Sequence, residues 1–276
     1  MEMFDFAELS AKVNEAYSML DAEAFPETMS YLASIMGADG TVSEEPYEIA
    51  TQVMLCDKLQ EFPKFMIDFV AELYKAEIVA GNSEAMNDLG AHYYGGNHGF
   101  PQDFTKAVAY YKQAAANGSR QAQENLGYCY YYGRDMKKDY EKAFHYFALG
   151  AFDGHLISLY KIGDMYLNGY YVEKNEKEAF AIYMRCLNTM TDEAAPEAAG
   201  PVFLRIGNML LNGLGTEADA KGALICYQKA ESFLYDMVKN GDVMYKKSLQ
   251  AAIDGQTKAR AKLSLELPDN DWSIKD

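Results

Sequence analysis

Apolar residues recur along most of this chain at intervals of three and four, and a glycine is set into the middle of the pattern. Leu89-Gly90 is followed by Tyr93, Leu126-Gly127 by Tyr130, Ile162-Gly163 by Tyr166, and Ile206-Gly207 by Leu210. The Leu or Ile lies four residues before the aromatic or Leu, so at 3.6 residues per turn both fall on one face and point inward. The glycine between them has no side chain, which lets a second helix approach closely.

Each of these segments ends on a glycine, at Gly96, Gly133, Gly169 and Gly213, and an Asp or Asn follows six or seven residues later, at Asp103, Asp139, Asn175 and Asp219. A glycine suits the left-handed end of one helix, and a short acceptor side chain suits the start of the next. Four residues further come Ala107, Ala143, Ala179 and Ala223, then one turn later Tyr111, Phe147, Tyr183 and Tyr227. The alanine is a second point of close packing, and the aromatic is expected to fill the gap between copies. The central glycines are spaced by 37, 36 and 44 residues, the long last step being explained by the insertion TDEAAPEAAG at 191–200. A sequence period of this size signals stacked supersecondary units.

The run LGxxYxxG, then DxxKA, then YxxxA resembles the Sel1-like repeat, a relative of the tetratricopeptide repeat, over about residues 82–236. The resemblance implies an all-α fold, a right-handed α-solenoid of antiparallel helix pairs, with copies at about 82–118, 119–154, 155–190 and 200–236. The segment 65–82 reads as the second helix of a preceding copy, since Tyr74 to Gly81 repeats the gap from Tyr111 to Gly118. The expected organisation is therefore an acidic helical N-terminal region over 1–64, a repeat array over 65–236, and a capping helix with a tail over 237–276.

Within the N-terminal region, helices are expected at about 5–20, 24–36 and 44–60, with Asp39-Gly40 in a turn and Ser43 as the N-cap of the third. The turn is no calcium loop: with its glycine at loop position six, positions one and twelve would be Ile35 and Pro46, neither of them a ligand.

Charge adds to this picture mainly through its distribution. Of a formal net charge of -16, residues 1–100 account for -14, with 18 Asp or Glu against four Lys. Such a balance speaks against nucleic acid and anionic membrane surfaces as partners, since both require basic patches. It admits either a solvated acidic face or a docking surface for a basic partner. The start of the chain lacks the basic patch and apolar run of a secretory signal, and no stretch of about 18 apolar residues follows, so a cytoplasmic protein is expected.

Candidate chemistry is sparse. Cys56, Cys129, Cys186 and Cys226 are far apart and form no zinc spacing, so buried free thiols are expected. His92, His98, His145 and His155 share no familiar metal spacing, and no phosphate loop or carboxylate dyad stands out. No catalytic residue, metal or cofactor is assigned, and an enzyme is not expected.

In a stack of helix pairs, the first helices of successive copies line the inside of the curve. At about 100° per residue, the face opposite the inward Leu and Tyr includes Tyr94 in copy one, Glu124, Tyr128, Tyr131 and Tyr132 in copy two, and Tyr160, Asp164 and Asn168 in copy three. This face is expected to see solvent, and three tyrosines there suit a binding hot spot. The resulting expectation is an adaptor or scaffold that grips a partner peptide or protein on this concave face. The alternative is an inhibitor or immunity-type protein that covers a basic partner with its acidic N-terminal surface.

Overall fold

The computed structural model describes residues 5–55, 61–96, 99–190, 196–240 and 242–266. Among these the protein is all-α, with thirteen α-helices and one isolated antiparallel bridge, Met36 to Val42. The chain forms two compact units, Met1–Asp139 and Tyr140–Asp276.

The first unit comprises α1 (Phe6–Met19), α2 (Pro26–Ile35), α3 (Pro46–Val53), α4 (Lys64–Ala80), α5 (Ser83–Gly95), α6 (Phe104–Ala116) and α7 (Arg120–Tyr132). Helix α4 ends on Gly81 in the left-handed conformation. Leu9, Val13, Leu32, Ile49, Met66, Val70, Leu73 and Tyr74 are all buried, so the N-terminal helices and α4 bury apolar surface together. Polar links join the same helices: Lys12 pairs with Glu72 at 2.6 Å, and the Tyr47 hydroxyl donates to Asp88 of α5 at 2.9 Å.

Ser43 does not cap α3. The helix begins at Pro46, and the cap position is Glu45, which makes no side-chain cap bond. Proline fixes its own φ for the first helical position and forces the residue before it into extended backbone, which Glu45 adopts at φ -73° and ψ 144°. The helix start therefore moves past the serine. Expected to run to about residue 60, α3 instead ends at Val53 with Met54 as its cap; Cys56, His98 and the residues beyond Glu266 lie outside the described residues.

The second unit comprises α8 (Tyr140–Phe152), α9 (Leu156–Asn168), α10 (Glu176–Thr189), α11 (Pro196–Asn212), α12 (Ala220–Lys239) and α13 (Lys246–Glu266). Helices α9 and α10 form the third copy and α11 and α12 the fourth, while α13 packs on both α11 and α12. The capping helix expected within 237–276 is α13, preceded by a 3-10 turn at Val243–Tyr245.

One local device recurs in every copy. The terminal glycines Gly96, Gly133, Gly169 and Gly213 are all left-handed, and the landmark Asp or Asn beyond each donates its backbone N–H to a carbonyl of the helix just ended. These bonds run from Asp103 to Tyr93 (2.8 Å), Asp139 to Tyr130 (3.0 Å), Asn175 to Tyr166 (2.9 Å) and Asp219 to Leu210 (2.9 Å). The side chains of Asp103, Asn175 and Asp219 also accept the N–H of the third residue beyond, starting the next helix. One residue thus satisfies orphan groups at the end of one helix and the start of the other, which fixes the pair as a hairpin.

In copies one, three and four the landmark aromatic of the second helix lies on the glycine of its own first helix. A Cβ on Gly90 would stand 2.9 Å from the Tyr111 ring, and one on Gly207 would stand 3.0 Å from the Tyr227 ring. Filling a gap between copies is a second role, seen where the Tyr227 ring also meets Gly255 of α13.

Candidate functional site

Three of the eight residues on the expected binding face are buried. Glu124 and Tyr160 are 4% exposed and Asp164 is 7% exposed. The cause is that neighbouring first helices pack side by side, through polar residues two positions before each central glycine. In the first unit, Asn125 of α7 donates to Asn87 of α5 at 3.0 Å. In the second, Arg205 of α11 reaches Asp164 of α9 through both Nε and Nη2, the latter at 2.7 Å. A single helix wheel predicts solvent where the next copy supplies a neighbour.

Asp164 is the centre of a buried polar cluster. Besides Arg205, it accepts from the Tyr183 hydroxyl at 2.7 Å and lies 3.5 Å from the Lys161 ammonium. The Tyr160 ring carries the Arg205 guanidinium at 4.6 Å, and Arg205 Nη1 donates to the Pro201 carbonyl at 2.9 Å. Burial pushes the Asp164 carboxyl upward, but the Arg205 guanidinium, Lys161 and the Tyr183 hydroxyl together outweigh it and hold the group below its ordinary value of 3.8. A carboxylate saturated by such partners offers nothing to a ligand and serves to join the third and fourth copies. Asn168 is exposed, and its amide donates back to the Asp164 carbonyl at 2.7 Å.

Arg205 was not among the sequence candidates, although a signal for it exists. Asp88, Asn125, Lys161 and Arg205 all stand two residues before a central glycine, a polar position repeated beside an apolar one.

The tyrosines of copy two remain at the surface. Tyr132 is 41% exposed, while Tyr128 and Tyr131 are half-buried beside it. The Tyr128 and Tyr132 rings stack with centroids 6.3 Å apart, and Tyr131 meets Tyr132 edge to face at 4.9 Å. Tyr94, half-buried, packs edge to face on Phe104 at 5.3 Å. Burial raises the Tyr94 hydroxyl, partly opposed by the nearby Arg134 guanidinium. Arg134 lies 4.6 Å over Phe104 and 5.7 Å from Tyr132, so it connects Tyr94 and the copy-two tyrosines into one group. Rings held this way lose little freedom on contact with a partner, which is what makes tyrosine effective at interfaces.

Other candidate chemistry does not assemble. Cys129 and Cys186 are buried free thiols, each pushed up to about 12 by burial, and Cys226 is half-buried. His92 stacks on Phe100 at 4.8 Å. Among the described residues, no three His, Cys, Asp or Glu side chains converge to hold a metal, and no helix is long and apolar enough to cross a membrane.

The recurring hairpin, with its glycine under an aromatic and its Asp or Asn between helices, coincides with a known repeat pattern. The pattern of the Sel1 repeat matches residues 83–119, 120–155, 156–183 and 204–232. The chain carries four Sel1 repeats. Two solved structures share its fold. A Sel1 repeat protein from Oxalobacter formigenes aligns over 92% of this chain and 99% of its own, with a TM-score of 0.58 at 20% identity. The protective antigen c5321 of uropathogenic Escherichia coli, which displays an SLR fold, aligns over 90% of this chain and 52% of its own, with a TM-score of 0.54 at 19% identity. No curated protein sequence matches the chain. Sel1 repeat proteins are generally protein-interaction scaffolds.

Proposed function

We propose that this protein is a non-catalytic scaffold that holds a partner peptide or protein on the tyrosine-bearing face of α7. The observation that carries the reading is the group Tyr128, Tyr131 and Tyr132, braced ring against ring at the surface. Tyr94 and Arg134 extend the face within the same unit. Glu124, Tyr160 and Asp164, being buried, support the helices rather than touch the partner, and Asn168 belongs to α9 of the second unit. The reading places the protein in the cytoplasm, where well-separated thiols stay reduced.

The test is affinity capture from source lysate with wild type, Tyr132→Ala and the double substitution Tyr128→Ala with Tyr131→Ala, each first shown by circular dichroism to melt as a folded protein. Loss of a common captured protein from the tyrosine variants supports the reading, and identical captured sets overturn it. A second reading rests on the -14 charge of residues 1–100, which would cover a basic partner such as an inhibited enzyme. In that case capture survives the tyrosine substitutions and falls steeply with added salt.

A further inference from the structure

We propose that Arg134 is an anion-binding residue that receives the carboxylate of an acidic side chain in a peptide lying on the Tyr128, Tyr131 and Tyr132 face. The inference rests on the reading above and specifies the chemistry of the partner. Arg134 stands one residue beyond the terminal glycine of α7 and seats its guanidinium on Phe104, the first residue of α6. The equivalent position in copy three is Tyr170, stacked 4.3 Å from Tyr140, the first residue of α8, and in copy four it is Leu214. Clasping a loop onto the preceding helix start therefore requires a flat or apolar body and no charge. In copy two the guanidinium also meets the Tyr94 hydroxyl, and its full charge goes beyond what the clasp of copy three uses.

Among the described residues that charge is also paired with no carboxylate. Among the described residues Arg134 Nε is out of contact with water and meets no acceptor, and the neighbouring Asp135 directs its carboxylate to the Thr105 hydroxyl at 2.7 Å. Nε is closed to a ligand, so a partner's carboxylate would meet the outer Nη edge of this half-buried residue. A guanidinium lying with its face on a ring keeps its edge available for in-plane bonds to a carboxylate, which a lysine ammonium in the same place would not offer. Lys137 and Lys138 follow within the same loop, so 134–138 is a cationic stretch in a unit whose first 100 residues carry -14. An acidic peptide is repelled elsewhere on this unit and accepted here, which sets the register of the bound segment.

The experiment is selection of a phage-displayed random peptide library on wild type, Arg134→Tyr, Arg134→Leu and Tyr132→Ala. Tyrosine and leucine occupy this place in copies three and four, so the two arginine variants retain the clasp. Wild type is expected to enrich peptides with an Asp or Glu at a fixed distance from an aromatic or aliphatic residue. Changing that acid to its amide in a selected peptide is expected to weaken binding to wild type about tenfold, and to leave binding to Arg134→Tyr unchanged. Enriched peptides that lose affinity on Tyr132→Ala but show no acid preference, or an acid preference that persists in both arginine variants, overturn the role of Arg134 and leave the scaffold reading standing. Failure of wild type to enrich any peptide overturns both.

Discussion

The Tyr183 ring lies so close over Gly163 that a Cβ added to the glycine would stand 2.6 Å from the ring edge. The contact repeats at Gly90 with Tyr111 and at Gly207 with Tyr227, and it sets how near the two helices of a copy can come. In a helix interior alanine is favoured over glycine by about 1 kcal/mol, so Gly163→Ala would stabilise an isolated α9. In the protein the added methyl forces a buried ring out of place, an overpacking cost of about 1–3 kcal/mol. We expect Gly163→Ala to lower stability in urea by about 1–2 kcal/mol. Combined with Tyr183→Leu it is expected to be less damaging than the sum of the two single changes, by at least about 0.5 kcal/mol. A stabilised or strictly additive variant would show that the ring does not rest on the glycine.

The Asp164 to Arg205 pair predicts a different pattern. Both side chains are largely withdrawn from water, at 10% and 23% exposure, so removing one charge leaves the other poorly solvated. Asp164→Asn is expected to cost about 3–5 kcal/mol, and replacing both partners by apolar residues, as in Asp164→Leu with Arg205→Met, is expected to cost less than that single change. The pH dependence follows from the direction of the shift. The folded carboxyl titrates below its ordinary 3.8, so its stabilisation is fully present above that value and is lost as pH falls through the lower folded value. The stability gap between wild type and Asp164→Asn should therefore stay level from pH 7 to pH 5 and narrow only below about pH 4. A gap that closes near neutrality would point to a different group.

Asp219 separates side-chain from backbone roles at the hairpin. Its carboxylate caps α12 by accepting the Gly222 N–H at 2.9 Å, while its own N–H donates to Leu210. Asp219→Ala removes only the cap and is expected to cost about 1 kcal/mol. Asp219→Pro also deletes the donor and is incompatible with the observed φ of -140°, so it should cost clearly more in a thermal melt. Equal effects of the two substitutions would argue against the backbone bond.

The helix pairs were legible because their signals are local. A glycine ending one helix, an Asp or Asn starting the next and an apolar stripe between them each act within a few residues, and the structure places all three as the spacing implied. The candidate face was less legible because exposure is decided by the neighbouring copy. Asp164 reads as an open carboxylate on its own helix, and only Arg205, 41 residues later, closes it. Tyr132 kept its exposure because it sits in the last turn of α7, next to the loop. Arg134 was overlooked for the opposite reason: it lies outside the helix whose face was read, and what marks it is comparison with Tyr170 and Leu214 across copies.

That comparison across loops yields a final test. Asp135, Tyr171 and Gly215 stand at one equivalent position, two residues beyond the terminal glycine, and all three are left-handed, with φ of 54°, 65° and 67°. Each also touches the start of the preceding second helix: Asp135 accepts from Thr105 at 2.7 Å, the Tyr171 hydroxyl donates to Glu141 at 3.4 Å, and Gly215 sits directly against the Glu176 backbone. A Cβ at 215 would drive into the Glu176 carbonyl oxygen, so Gly215→Ala combines backbone strain with a clash that no side-chain rotation relieves. It is expected to cost about 2–3 kcal/mol or more. The reverse changes, Asp135→Gly and Tyr171→Gly, relieve about 1 kcal/mol of left-handed strain and lose a bond of similar worth, so each should melt close to wild type. Were Gly215→Ala as stable as the protein itself, the loop of the fourth copy would not be seated on α10, and the clasp inferred for Arg134 would lose its structural precedent.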